Sequence, residues 1–147
     1  MSLLPRKGLL AIAAVVDVAL NARDRPVSAK ALAARHGLPP RHLEPVLQAL
    51  VHDGILRGVR GPHGGYALAR DRGRIGIDEI VRAAATVRDQ DEAAIASPLI
   101  ADVVSPAVAE AERAFSGALS RINVDDLARR VEASGRRDAS TEIDFTI

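Results

Sequence analysis

The chain has 147 residues, of which 48% are hydrophobic but only 2% aromatic, with a formal net charge of +1 and no cysteine. That length suits one domain with an appended oligomerisation element, and the missing cysteines exclude disulfides, thiolate metal sites, cysteine nucleophiles and thiol redox sensing. Tyr66, Phe115 and Phe145 are the only aromatics, so the core must be built from Leu, Val, Ile and Ala. Such a core favours helix packing over a large sheet and, being thin, gains from dimerisation.

In chain order, Leu9-Leu10, Ile12-Ala13, Val15-Val16 and Ala19-Leu20 recur at helical spacing and predict a helix over 5–22. This stretch is too short for a membrane span and is interrupted by Asp17, and no segment reads as a signal peptide, so a soluble cytoplasmic chain is expected. Asn21 to Pro26 is turn-like. Ser28 is a good N-cap for a short helix ending near His36, and Gly37 is a natural stop. Pro40 suits the first position of a third helix, with Leu43, Val46, Leu47 and Leu50 as its apolar stripe and Gly54 at its end. Pro45 removes one backbone hydrogen bond there and predicts a slight kink.

Residues 55–59 and 66–68 are strand candidates around a Gly/Pro-rich loop, which makes a hairpin. A helix over 77–85 follows, then a loop or frayed helix over 86–97. A long helix is expected from Pro98 or Ser105 to Ile122. Val104, Val108, Ala111, Phe115, Ala118 and Ile122 fall on it at alternating spacings of four and three, close to a heptad seam, and are the candidate dimer interface. A short helix over 125–133 ends the ordered part. The tail finishes Ile143-Asp144-Phe145-Thr146-Ile147, where an edge strand or, more in keeping with a terminus, disorder is expected.

Helix, short helix, turn, helix and hairpin in that order make the winged helix-turn-helix plan, in which the helix after the turn enters the DNA major groove. The expected fold is therefore mainly α with a small β-hairpin wing, plus a long dimerisation helix. Residues 1–85 form the DNA-binding domain, 86–133 the loop, long helix and short helix, and 134–147 a flexible tail. Charge follows the same division. Residues 1–80 carry 12 Lys/Arg against 7 Asp/Glu, and residues 81–147 carry 8 against 12, so the front half is the one suited to a polyanion. On the candidate recognition helix, Arg41 reaches a guanine edge or a phosphate, Glu44 accepts from a cytosine amino group, and His42 donates to either. On the hairpin, Arg57 and Arg60 flank Gly61, Pro62, His63, Gly64 and Gly65. The glycines admit positive φ and close backbone approach, and an arginine tip suits a narrow minor groove. Arg70, Arg72 and Arg74 extend the basic band. A nucleotide phosphate loop is disfavoured, because neither common glycine-rich phosphate motif is present.

His42-Leu43-Glu44, Asp53-Gly54-Ile55-Leu56 and the run Val59-Arg60-Gly61-Pro62-His63-Gly64-Gly65-Tyr66-Ala67-Leu68-Ala69 resemble the signature of the iron–sulfur-cluster-regulator-like (Rrf-two) family. Arg6-Lys7-Gly8, Asp17-Val18-Ala19-Leu20, residues 77–83 and residues 119–127 fit as well, so the resemblance covers residues 3–131. It implies a homodimeric winged-helix regulator of partly palindromic promoter sites whose long helix crosses between subunits. By matching position, Arg41 and Glu44 approach bases, Arg60 enters the minor groove, and Lys7, Arg57 and the backbone of 61–64 position phosphates. Ser28, His42 and Gly65 complete the candidate DNA-binding set.

Three departures stand out. His63 replaces the glycine most often seen there, and Pro45 replaces a polar residue that can read a base. Cluster-binding members place three cysteines before the long helix, whereas residues 86–98 here contain neither cysteine nor histidine. Asp89, Asp91 and Glu92 suit solvation better than a hard cation. The expectation is a cluster-free homodimeric transcription regulator, a repressor, with double-stranded DNA as its partner and no cofactor, metal, membrane or catalytic residues. A regulatory protein or a small-molecule effector is left open as a further partner. The alternative is a protein-interaction module that keeps the winged helix as a scaffold.

Overall fold

The computed structural model describes residues 3–87 and 97–135. The apolar spacing near the start produces α1 (Arg6–Asn21), which buries Ala11, Ala14, Val15 and Val18. Helix α2 (Ala29–Arg35) begins where the Ser28 hydroxyl accepts the Ala31 N–H at 3.0 Å, the expected cap. It ends at Gly37, whose φ of 63° is a left-handed conformation that favours glycine. Helix α3 (Pro40–His52) starts on its proline and buries Leu43, Val46, Leu47 and Leu50 as one stripe. It runs as a single element through Pro45.

Strands β1 (Leu56–Val59) and β2 (Gly65–Leu68) pair antiparallel, with Leu56 opposite Leu68 and Val59 opposite Gly65. The hairpin has a third neighbour that the sequence pattern did not announce. Val27 and Tyr66 exchange backbone hydrogen bonds of 2.9 and 2.7 Å, which ties the wing to the residue just before the Ser28 cap of α2.

Helix α4 (Ile77–Ala85) follows a single 3₁₀ turn over Arg72–Arg74, and the Glu79 carboxylate accepts the Gly76 N–H at 2.9 Å to cap it. A helical run begins again at Pro98, passes through a π turn at Ile100–Val104 and continues as α5 (Ser105–Leu119). The expected long helix thus stops at Leu119, three residues before Ile122. The chain turns there, and the Ile122 carbonyl accepts the Ile77 N–H at 2.9 Å. Asn123 and Asp126 form a reciprocal capping box that starts α6 (Val124–Ser134), and Gly135 ends it with φ of 71°.

One apolar cluster joins α1, α3 and α4 with the start of α6. Leu32, Ile55, Leu56, Ile75 and Ile80 are among its fully buried members. Helix α5 contributes no buried residue at all. No helix of the described residues is long and apolar enough to cross a membrane.

Candidate nucleic-acid interface

Two exposed features lie on the front half. The first turn of α3 presents Arg41, His42, Glu44 and Pro45, all exposed, because the opposite stripe of the helix is buried in the core. The wing tip presents Arg60, Gly61, Pro62 and His63, also exposed, and Arg57 projects from β1. The tip is a tight turn in which the Gly64 N–H donates to the Gly61 carbonyl at 2.9 Å. Gly61 has φ of 117°, open only to glycine at low cost. A Cβ at Gly64 would sit 2.3 Å from the Val59 carbonyl oxygen, and one at Gly65 would sit 2.4 Å from that of Val27. These two glycines are needed for close packing of the wing on itself and on the segment before α2. His63 has no positive φ, so its departure from glycine leaves the turn geometry intact.

The remaining predicted contacts are placed less simply. Ser28 is half-buried, with its oxygen engaged as the α2 cap. Lys7 donates its ammonium to the Val87 carbonyl at 2.5 Å, bridging α1 to the end of α4. The basic band expected from Arg70, Arg72 and Arg74 is corrected for the first two. Arg70 pairs with Glu79 at 2.9 Å, and Arg72 pairs with Asp125 at 2.5 Å and Glu132 at 3.2 Å. The hydrogen bonds that Arg72 donates to Asp125 and then to Glu132 raise its pKa against the opposing effect of burial. Arg70 fastens the end of the wing to α4 and Arg72 fastens the 3₁₀ turn to α6, so both guanidiniums are largely neutralised and bring little net charge to the basic face.

Sequence reasoning missed one cluster behind the interface. Asp17, only 7% exposed, receives Arg35 Nε at 2.8 Å and Nη2 at 2.7 Å in a bidentate pair. His36 Nε2 lies 3.1 Å from the same carboxylate, and Asn21 donates to it at 3.1 Å. Because the carboxylate accepts, Nε2 must carry a proton for this bond, whatever the charge on the ring. Burial opposes ionisation of Asp17, but the hydrogen bonds from His36, Arg35 and Asn21 together with the Arg35 charge outweigh it and hold its pKa below the ordinary value. The cluster locks the last turn of α2, and so the helix-turn-helix angle, onto α1. Its one signal in the sequence was a carboxylate on an otherwise apolar helix face; the partners lie 18 and 19 residues further on.

On the rear half, Val104 and Val108 are 43% and 47% exposed, Ala111 and Ala118 are also exposed, and Phe115 is half-buried. Leu99 and Val103, at 64% and 58% exposed, extend the apolar strip. Ile122 sits half-buried against the chain's own core, beyond the end of α5.

A family profile described as "Iron-dependent Transcriptional regulator", Rrf2, matches residues 4–130. The HTH-type transcriptional regulator IscR of Xenorhabdus nematophila is 40% identical over 80 residues, 54% of this chain and 49% of that protein. IscR of Cronobacter sakazakii is 39% identical over the same shares. The chain thus spans about half the length of the curated relatives it matches. Among solved structures, IscR of T. potens superimposes with a TM-score of 0.68 at 26% identity, covering 89% of each chain. CymR, the global cysteine regulator of B. subtilis, superimposes with 0.65 at 22% identity, covering 88% of this chain and 98% of that one, and supports the fold alone.

The iron dependence in the family description meets a mismatch. The chain has no thiolate to offer a cluster, and among the described residues no group of three His, Asp or Glu stands close enough to hold a metal ion. Asp89, Asp91 and Glu92 lie outside the described residues. With a winged helix matched over nearly its whole length and the family profile covering residues 4–130, the chain belongs to the Rrf2 family of transcriptional regulators.

Proposed function

We propose that this chain is a homodimeric, sequence-specific DNA-binding repressor that works without an iron–sulfur cluster. The observation that carries the reading is the joint exposure of the first turn of α3 and the wing tip, with Arg41, His42 and Glu44 on one and Arg60 on the other. Both project from backbone that is fixed behind them, α3 by its buried stripe and the wing by the Val27–Tyr66 pairing. In the proposed complex α3 lies in the major groove and the wing arginine enters the adjoining minor groove. The bare apolar strip of α5 supports a dimer, since an amphipathic helix with no buried residue needs a partner surface. A dimer then places two recognition helices about one DNA turn apart on a partly palindromic site. Where the bound site overlaps a promoter, occupancy alone represses, because a protein there excludes polymerase without any further contact.

Selection of DNA from a random pool, followed by fluorescence anisotropy on the selected fragment, tests the reading. Arg60→Ala is expected to weaken specific binding by about 1–3 kcal/mol. Unchanged affinity would remove Arg60 from the interface, and failure to select any fragment would overturn DNA binding itself.

A further inference from the structure

Between the first turn of α1 and the first turn of α3 the surface opens into a groove of about 1190 Å³. Its lining combines Arg6, Lys7 and Arg41 with Leu10, Leu38 and Val46, and among the described residues it includes no Asp or Glu. Those two halves of the lining suit different parts of one ligand. A duplex backbone presents a convex row of phosphates and has no use for an apolar recess. A small molecule with a hydrocarbon body does, and the guanidiniums of Arg6 and Arg41 fix the position of its anionic end. The groove is also tied into the fold, since Lys7 joins α1 to the Val87 carbonyl at its rim. Arg41 belongs to both surfaces: it lines the groove and stands on the exposed first turn of α3.

We propose that this groove binds a small organic anion with an apolar body, and that its occupancy weakens DNA binding by drawing Arg41 to the ligand. The second half rests on the DNA-binding reading; the first does not. Coupling of this kind is reciprocal, so DNA must weaken the ligand by the same factor.

Calorimetric titration of the full chain with butanoate, hexanoate and octanoate tests the groove without DNA. Affinity is expected to rise by up to about fourfold per added methylene, the gain for full burial of each group. Octyl glucoside, which keeps the chain but lacks the charge, is expected to compete many-fold more weakly than octanoate, and inorganic phosphate, which keeps charge but lacks the chain, is expected not to compete. Competition by octyl glucoside equal to that of octanoate would overturn the anionic part of the assignment. Arg6→Ala should weaken octanoate several-fold, whereas Arg74→Ala, an exposed arginine outside the groove, should not. Competition by phosphate with no dependence on chain length would make the groove a landing place for DNA phosphates and overturn the assignment. Loss of octanoate binding in Val108→Asp would put the probe on α5 and overturn it equally.

Anisotropy on the selected DNA fragment, at constant ionic strength, tests the coupling. Saturating octanoate is expected to raise the Kd for DNA, and an unchanged Kd would refute the coupling. A chain that binds octanoate but selects no DNA would sink the proposed function, and the coupling with it, while the groove assignment would stand.

Discussion

A carboxylate on an apolar helix face gives up hydration, and Asp17 recovers it from Arg35, His36 and Asn21. Its native pKa lies below the ordinary 3.8, so the stability it contributes is present above that value and is lost as pH falls through the lower native one. Asp17→Asn is expected to cost about 1–3 kcal/mol at neutral pH, since the guanidinium keeps partial access to water. The same change should flatten the loss of stability as pH falls through 3.8 and below. It should not abolish that loss, because Glu79 and Asp125 are lowered as well. Urea titrations at several pH values check both statements. Gly65 carries a steric constraint instead. Gly65→Ala puts a methyl against the Val27 carbonyl and should destabilise by more than about 1 kcal/mol. Faster hydrogen exchange at the Val27 amide, which donates to Tyr66, would mark the wing pulling away. The sequence showed these glycines as turn residues; it did not show that Gly65 faces another segment, because that neighbour lies about 40 residues earlier in the chain.

At the scale of elements, α5 is the unfinished one. Its apolar positions recur at heptad-like spacing, yet none is buried. Val108→Asp should therefore leave the helical circular dichroism of the chain unchanged while converting the proposed dimer to a monomer in light scattering. A dimer that persists would place the contact on another face. The spacing of the seam was legible along the chain, but its end was not. The four-three pattern runs on to Ile122, whereas the helix stops at Leu119, because the Ile122 carbonyl is taken by the Ile77 N–H and its side chain by the core. Helix starts were easier to read. Ser28 and Pro40 act on backbone groups close to themselves, so the local sequence carries the information, whereas the Asn123 cap that starts α6 at Val124 went unread and the helix was expected from Asp125.

Across the whole molecule, charge separates into a basic exposed face and internal clamps. DNA affinity is expected to fall by about 10³-fold between 50 and 200 mM salt if each protomer places a few cations on phosphates. Arg57→Ala should reduce the slope of that dependence by about 1 per contact, whereas Arg72→Ala should leave the slope alone and lower stability, because Arg72 is spent on Asp125 and Glu132. Equal effects on the slope would return Arg72 to the interface. By itself the sequence determined the order of elements, the wing turn, the exposed start of α3 and the lack of thiolate ligands, since periodicity, capping and composition are local properties. Only the tertiary structure decided which charges remain free to meet a partner, which glycines face another segment, and that cationic and apolar side chains from α1 and α3 line one groove. Those outcomes depend on distances between residues far apart in the chain, and packing alone sets them.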